Sequence, residues 1–254
     1  MSLYEIYFSP TGGTKKVADI LANSWSSDFT TVDLIKNPRK ITELNLCSDD
    51  ICIVAVPSYG GRVPGVALDN LKNIKANNAK AVLVAVYGNR HIDDTLMELS
   101  DTLTECNFSC IAGIEAVAEH SLLHSFGAGR PDSNDENNLK GFVLRIKEAM
   151  ENNKLSDSPE IPGSHDYRDY NGVPIKPITT NKCTNCGLCV TECPVNAISK
   201  ENPKVVDKNL CISCMHCMSV CPVDAIKTSK LLTFVASTKM KKTCSDRKEN
   251  RLYL

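Results

Sequence analysis

Eight of the chain's 13 cysteines fall between Cys183 and Cys221, in two copies of the run C-x2-C-x2-C-x3-C-P. CTNCGLCVTECPVNAI, from Cys183 to Ile198, matches CISCMHCMSVCPVDAI, from Cys211 to Ile226, at a shift of 28 residues. Cys-Pro-Val and Ala-Ile recur along with the cysteines, so the unit is a duplicated loop and short helix. The cysteine total is odd, and the opening MSLYEIYFSP has neither a basic n-region nor an apolar h-region. Both facts argue against a secreted disulfide framework and for thiolate ligation in a reducing, cytoplasmic setting. Three thiolates within seven residues hold a metal centre only if the backbone turns tightly around it. The Pro after each fourth Cys fixes φ and directs the chain away. Structural zinc is the plain alternative, but zinc ribbons use two separated Cys-x-x-Cys knuckles and lack the third Cys and trailing Pro.

The first 150 residues follow a different pattern. Leu3–Phe8, Phe29–Leu34, Ile51–Val56, Ala81–Tyr87 and Cys110–Val117 read as strands. ICIVAV, AVLVAVY and CIAGIEAV are nearly continuous apolar runs, as in strands covered on both faces. Helical patterns run over Thr14–Asn23, Gly65–Leu71, Asp93–Cys106 and Asp135–Asn152. Such alternation predicts an α/β fold with a doubly wound, five-stranded parallel sheet.

Domain boundaries follow from these shifts in pattern: residues 1–152 for the α/β domain, 153–180 for a linker, 181–230 for the cysteine-rich domain and 231–254 for a tail. The linker contains four prolines and two glycines and reads as a spacer or an extended wrapping segment. The basic tail, KMKKTCSDRKENRLYL from Lys239, reads as a solvated terminus. Through Ile178 the chain holds 17 basic and 24 acidic residues; beyond it, 12 and 6. A net charge of −1 gives no case for nucleic acid, and no apolar stretch is long enough for a membrane span. A homodimer stays open.

Between the first strand and its helix stands Ser9-Pro10-Thr11-Gly12-Gly13-Thr14. Glycines let the backbone turn its N–H groups inward toward an anion, and the helix N-terminus adds a positive dipole end. The run is neither a Walker loop nor G-x-G-x-x-G; a hydroxyl-rich cradle for one phosphate suits a mononucleotide.

This loop resembles the phosphate loop of flavodoxins, and the cysteine runs resemble bacterial two-cluster ferredoxins. The whole chain is similar to the flavodoxin–ferredoxin fusion proteins of anaerobic bacteria. The resemblance covers about the first 150 residues and Lys182 to about Lys230. It implies FMN, with Ser9, Thr11, Gly12, Gly13 and Thr14 at its phosphate. Two further loops would meet its ring: Pro57, Ser58, Tyr59, Gly60 and Gly61 after the third strand, and Tyr87, Gly88, Asn89, Arg90 and Asp93 after the fourth. Gly60 and Gly61 would face flavin N5, Tyr59 or Tyr87 would stack, and Asn89 would meet the pyrimidine edge.

The resemblance also implies a small α+β domain with two 4Fe–4S clusters and crossed ligation. Cys183, Cys186, Cys189 and Cys221 would hold the first; Cys211, Cys214, Cys217 and Cys193 would hold the second. Leu188, Val195, Ile198, Ile212, Val223 and Ile226 would shield the sulfides from water.

The expected function is an electron-transfer protein relaying electrons among FMN, the clusters and partner redox proteins. An FMN-dependent reductase of a small molecule, walled by His120 to Arg130, is one rival. A ferredoxin with an empty flavodoxin-like docking domain is the other. For His120 and His124 a structural role is the plainer reading, and Cys52 and Cys110 read as small core hydrophobes.

Overall fold

The computed structural model describes residues 1–155 and 159–254. Residues 156–158, part of the expected linker, lie outside the described residues. The chain runs β1 (Leu3–Tyr7), α1 (Gly13–Trp25), β2 (Thr30–Asp33), a 3-10 turn (Pro38–Glu43), β3 (Ile51–Pro57), α2 (Gly65–Leu71), β4 (Lys80–Tyr87), α3 (Thr95–Glu105), β5 (Ser109–Val117) and α4 (Ser133–Glu151). After the linker come β6 (Ile178–Thr179), α5 (Leu188–Thr191), α6 (His216–Ser219), β7 (Ile226–Lys227), α7 (Lys230–Cys244) and β8 (Arg251–Tyr253).

The large sheet has the order β2-β1-β3-β4-β5-β8, with the first five strands parallel. That order reverses between β1 and β3, the flavodoxin-like switch point at which doubly wound sheets take their ligands. Burial follows the apolar runs. One core packs Ile6, Val54, Leu83 and Leu99 on the face covered by α2 and α3. The other packs Val17, Leu21, Ile53, Val84 and Ile146 on the face covered by α1 and α4. Each such side chain is worth about 1.5–3 kcal/mol when fully buried. The apolar spacing of α1 places Val17, Ala18, Leu21, Ala22 and Trp25 against the sheet. Asp132 caps α4 in a reciprocal capping box with Asp135.

The tail differs from the sequence expectation. Instead of a solvated end, α7 and β8 return to the α/β unit, and β8 adds a sixth, antiparallel strand to β5 through Gly113–Tyr253, Ile114–Leu252 and Glu115–Arg251. Val117 N–H donates to Asn250 Oδ1 at 2.9 Å and Tyr253 Oη to Glu115 Oε2 at 3.1 Å. The reason is physical: β5 would otherwise end the sheet as a long apolar edge with unpaired backbone groups.

The linker is a wrapping strap. Ser164 N–H and Arg168 N–H donate to the two carboxylate oxygens of Asp94, at 2.9 and 2.8 Å. Arg62 Nη1 donates to the Arg168 carbonyl at 2.9 Å, and its guanidinium lies over the Tyr167 ring. Farther on, Lys176 Nζ reaches the Cys211 carbonyl at 2.5 Å.

In the cysteine-rich segment, β6 and β7 pair antiparallel, and Ile198 bridges Val206. The two copies have matching backbone. Asn185 and Ser213 both have φ 57°, Gly187 and Met215 have φ 76° and 61°, and Asn196 and Asp224 have φ 52° and 51°. Left-handed turns at the same three places, 28 residues apart, bring each run of cysteines round on itself.

Candidate functional site: a cavity against the second cysteine run

A cavity of about 400 Å³ lies at the C-terminal ends of the parallel strands, within the size range of cofactor pockets. Ser9, Thr11, Gly13 and Thr14 line it from the β1–α1 loop; Pro57, Ser58, Tyr59 and Gly60 line it after β3; Tyr87, Gly88 and Arg90 line it after β4. Gly12, Gly61, Asn89 and Asp93 do not line it.

Each of those four has another task. Gly12 is the left-handed N-cap of α1, at φ 88°. Gly61 packs against the Asp93 side chain, and a Cβ there would stand 2.3 Å from Asp93 Oδ2. Asp93 is paired with Arg90 and Arg168, which hold its carboxyl below the usual range against the opposing effect of burial. Asn89, expected at a pyrimidine edge, is instead spent on the C-terminal segment. Its Nδ2 donates to the carbonyls of Cys244 (2.6 Å) and Asp246 (2.9 Å), and its Oδ1 accepts from Lys248 N–H at 3.2 Å. Tyr87, also considered for stacking, is buried, and burial, with Glu115 nearby, raises its phenol pKa.

The β1–α1 loop fits an anion. α1 has no side-chain cap at Gly12 and no acidic residue in its first turn, so the N–H groups of Gly13 and Thr14 and the helix dipole are free for a phosphate. Ser9 Oγ accepts from Lys15 N–H at 2.9 Å and holds the loop against the helix.

Several walls were not expected at this cavity from the sequence. Tyr170, Val173 and Ile175 enter from the strap, Ala236 and Met240 from α7, and Ile212 and Ser213 from the second cysteine run. The Tyr170 ring lies on Gly60, where an added Cβ would stand 2.3 Å from it. With φ at 60°, Gly60 combines a left-handed turn with this close approach, and a larger residue would lose both. His120 from the β5–α4 loop also lines the cavity. Its Nδ1 accepts from the N–H groups of Leu122 and Leu123, at 3.1 and 3.3 Å. Burial pushes the His120 pKa down to about 4, so a neutral ring presents Nε2–H as a donor.

The eight repeat cysteines form two groups. Cys183, Cys186 and Cys221 lie near Cys189, and Cys214, Cys211, Cys193 and Cys189 lie near Cys217. Burial pushes the Cys214 and Cys217 thiols up to about 12, so they ionise when a metal takes the proton's place. Among the described residues, no three His, Cys, Asp or Glu close on one point as the ligands of a single ion would. Thiolates of an iron–sulfur cube each bind a different iron and stand farther apart. Ala197 N–H donates to Cys193 Sγ at 3.3 Å and Ala225 N–H to Cys221 Sγ at 3.2 Å, the same bond in both copies. Cys47, Cys52, Cys106, Cys110 and Cys244 are free thiols outside these groups.

The second run is fastened to the phosphate loop. His216 Nδ1 donates to the Pro10 carbonyl at 2.7 Å, Ser219 Oγ donates to the same carbonyl at 2.9 Å, and His216 Nε2 lies 3.3 Å from Glu192 Oε2. Tyr59 lies beside both Cys214 and Tyr170, and burial there raises its phenol pKa.

A family model described as "4Fe-4S dicluster domain" matches residues 175–226. No curated protein matches the chain. Among solved structures, a flavodoxin of Streptococcus pneumonia TIGR4 has 16% identity and a TM-score of 0.41, covering 58% of this chain and 99% of its own. A flavodoxin from the domain Archaea has 13% identity and a TM-score of 0.43, covering 59% and 99%. An NADH:FMN oxidoreductase (EMOB) has 16% identity and a TM-score of 0.43, covering 62% and 91%. These likenesses add nothing to the strand order, on which the fold assignment rests. No helix among the described residues is long and apolar enough to cross a membrane. The chain joins an α/β sheet with the flavodoxin-like strand order to a segment that matches the 4Fe-4S dicluster domain model.

Proposed function

We propose that the chain relays electrons between an FMN in the strand-end cavity and two 4Fe–4S clusters, one in each cysteine set. One observation carries this reading: Ile212 and Ser213, between the ligands Cys211 and Cys214, are also walls of the cavity. FMN exchanges one or two electrons and each cluster one, so together they convert between two-electron and one-electron traffic.

The residues supply position and tuning. Free N–H groups at the start of α1 hold the phosphate. Tyr170 and the Gly60 turn wall the ring side, and neutral His120 offers a donor. Ile198 and Ile226, buried between the cysteine sets, exclude water, while the N–H bonds of Ala197 and Ala225 offset charge on sulfur. His216 and Ser219 fix the second run against the phosphate loop.

Because its own strap, second cysteine run and α7 supply cavity walls, the chain favours the electron carrier over the small-molecule reductase. Partners are redox proteins, reached from outside this enclosure. The test is anaerobic reconstitution followed by rapid one-electron photoreduction, with iron–sulfur and flavin absorbance followed separately. Electron exchange between the two chromophores at a rate independent of protein concentration supports the relay. A rate proportional to concentration refutes it, and an empty cavity leaves the docking-domain alternative.

A further inference from the structure

Building on the reading of one FMN and two clusters, we infer that the cysteine sets have different tasks. The second set (Cys211, Cys214, Cys217, Cys193) exchanges electrons with the flavin cavity. The first set (Cys183, Cys186, Cys189, Cys221) is the port where an external one-electron redox protein delivers or collects them.

The repeat supplies its own control. Its two loops have the same backbone, with left-handed residues at Asn185 and Ser213 and again at Gly187 and Met215. Their surroundings are opposite. Thr184, Asn185 and Cys186 are exposed, and Leu188 is 37% exposed. At the equivalent positions, Ser213, Cys214 and His216 are 4%, 8% and 6% exposed. Loop shape cannot account for this; covering does. The second loop lies under the Pro10 carbonyl, bonded to His216 and Ser219, while the Val173 carbonyl accepts from Ser213 Oγ at 3.2 Å. The substitutions between copies agree: Thr-Asn and Gly-Leu in the first become Ile-Ser and Met-His in the second. Ile and Met suit a covered face, and His supplies the hydrogen bond across it.

Electron transfer favours the shortest separation between centres. Walls of the cavity come from the second loop and none from the first. The first set lies around a separate small cavity walled by Leu188, Pro203, Pro222 and Val223. Leu188 and Val223, at 37% and 39% exposure, form an apolar rim open to solvent, which suits brief docking of a partner's redox centre. With clusters held by the two cysteine sets, each carrier would give one electron at the first set, and two such passages would supply the two electrons that an FMN in the cavity takes up, with protons from water.

The test uses full-length chain whose FMN and iron have first been counted by acid extraction, since a shortfall there contradicts the cofactor reading rather than the order. Reduced, acidic two-cluster ferredoxin is the donor in stopped flow. Iron–sulfur bleaching should come first and depend on donor concentration, with flavin bleaching following at a concentration-independent rate. Leu188→Glu, which places like charge at the port, should slow the first phase about tenfold. Leu231→Glu, on the 71% exposed residue of α7, should leave it within about twofold.

Should Leu188→Glu fail to load, a second measurement stands on the native protein. Stepwise oxidative cluster loss with alkylation and peptide mapping should label Cys183, Cys186, Cys189 and Cys221 before Cys211, Cys214, Cys217 and Cys193. The inference is overturned by flavin bleaching ahead of the clusters, by equal slowing in Leu231→Glu, or by labelling in the reverse order.

Discussion

Replacing His216 and Ser219 together tests how the cysteine-rich unit is held on the α/β unit. His216 is 6% exposed and donates to the Pro10 carbonyl at 2.7 Å, so His216→Ala removes a buried hydrogen bond and leaves a void. A hydrogen bond of this kind contributes about 0.5–1.5 kcal/mol, and the void adds a cost of similar size, giving about 1–3 kcal/mol. The carbonyl keeps Ser219 Oγ at 2.9 Å, so the single change does not orphan it. Ser219→Ala alone leaves His216 in place and should cost about 0.5–1.5 kcal/mol. The double variant removes both donors and should cost about 1–3 kcal/mol more than the two single changes added together.

Urea unfolding of the loaded protein, followed by far-ultraviolet circular dichroism and by iron–sulfur absorbance, reads this directly. In the native chain the two transitions should coincide; in the double variant the iron–sulfur signal should be lost at lower urea. Coincident transitions in the double variant, with a midpoint change worth less than about 0.5 kcal/mol, would refute the fastening argument.

Other expectations concern separate parts of the chain. Glu5 is 1% exposed, its Oε1 has no hydrogen-bond partner among the described residues, and burial raises its pKa to about 7. Native protein then binds an extra proton between about pH 4.5 and 7, so its stability contribution is lost as pH rises through that window. Glu5→Gln should flatten this dependence and stabilise by about 1–2 kcal/mol above neutrality; unchanged melting profiles from pH 5 to 8 would contradict it. Tyr170→Ala, which strips the ring from Gly60, should weaken FMN retention about three- to tenfold in equilibrium dialysis while iron content stays the same. Deleting residues 250–254 removes β8 and uncovers the β5 edge, so light scattering should show aggregation at temperatures the native chain withstands. Chelation of iron should expose residues 178–227 to proteolysis while the sheet persists, because that unit's own hydrophobic cluster is small; an unchanged digestion pattern would count against it.

The elements legible in sequence were those with a strong local signal. ICIVAV and AVLVAVY sit on central strands buried on both faces, and α2 spans the expected Gly65–Leu71. The cysteine-rich domain was legible because its cysteines lie in short, repeated runs. What stayed hidden depends on contacts across large separations. β8 is only three residues, RLY, and pairs with a strand more than a hundred residues earlier. In α7 the apolar residues Leu231, Leu232, Phe234 and Val235 are bunched ahead of a basic half, without the periodic stripe that marks a packed helix. Asn89 looked free for a ligand because its partners, near Cys244 to Lys248, are remote in sequence. Tyr170 sits in a Pro- and Gly-containing run that reads as a spacer or a wrapping segment, and the contacts that hold it in place, to Asp94, Asp93 and Arg62, are remote in sequence.

Cofactor stoichiometry on a single preparation tests the central claim most directly. Full-length chain, reconstituted anaerobically with iron, sulfide and excess FMN and then desalted, is analysed for flavin, iron and acid-labile sulfide. The account predicts about one FMN, about eight iron and about eight sulfide per chain. Full iron with no retained flavin would contradict it and reduce the α/β unit to a docking surface; retained flavin with about two zinc ions in place of iron would contradict it from the other side.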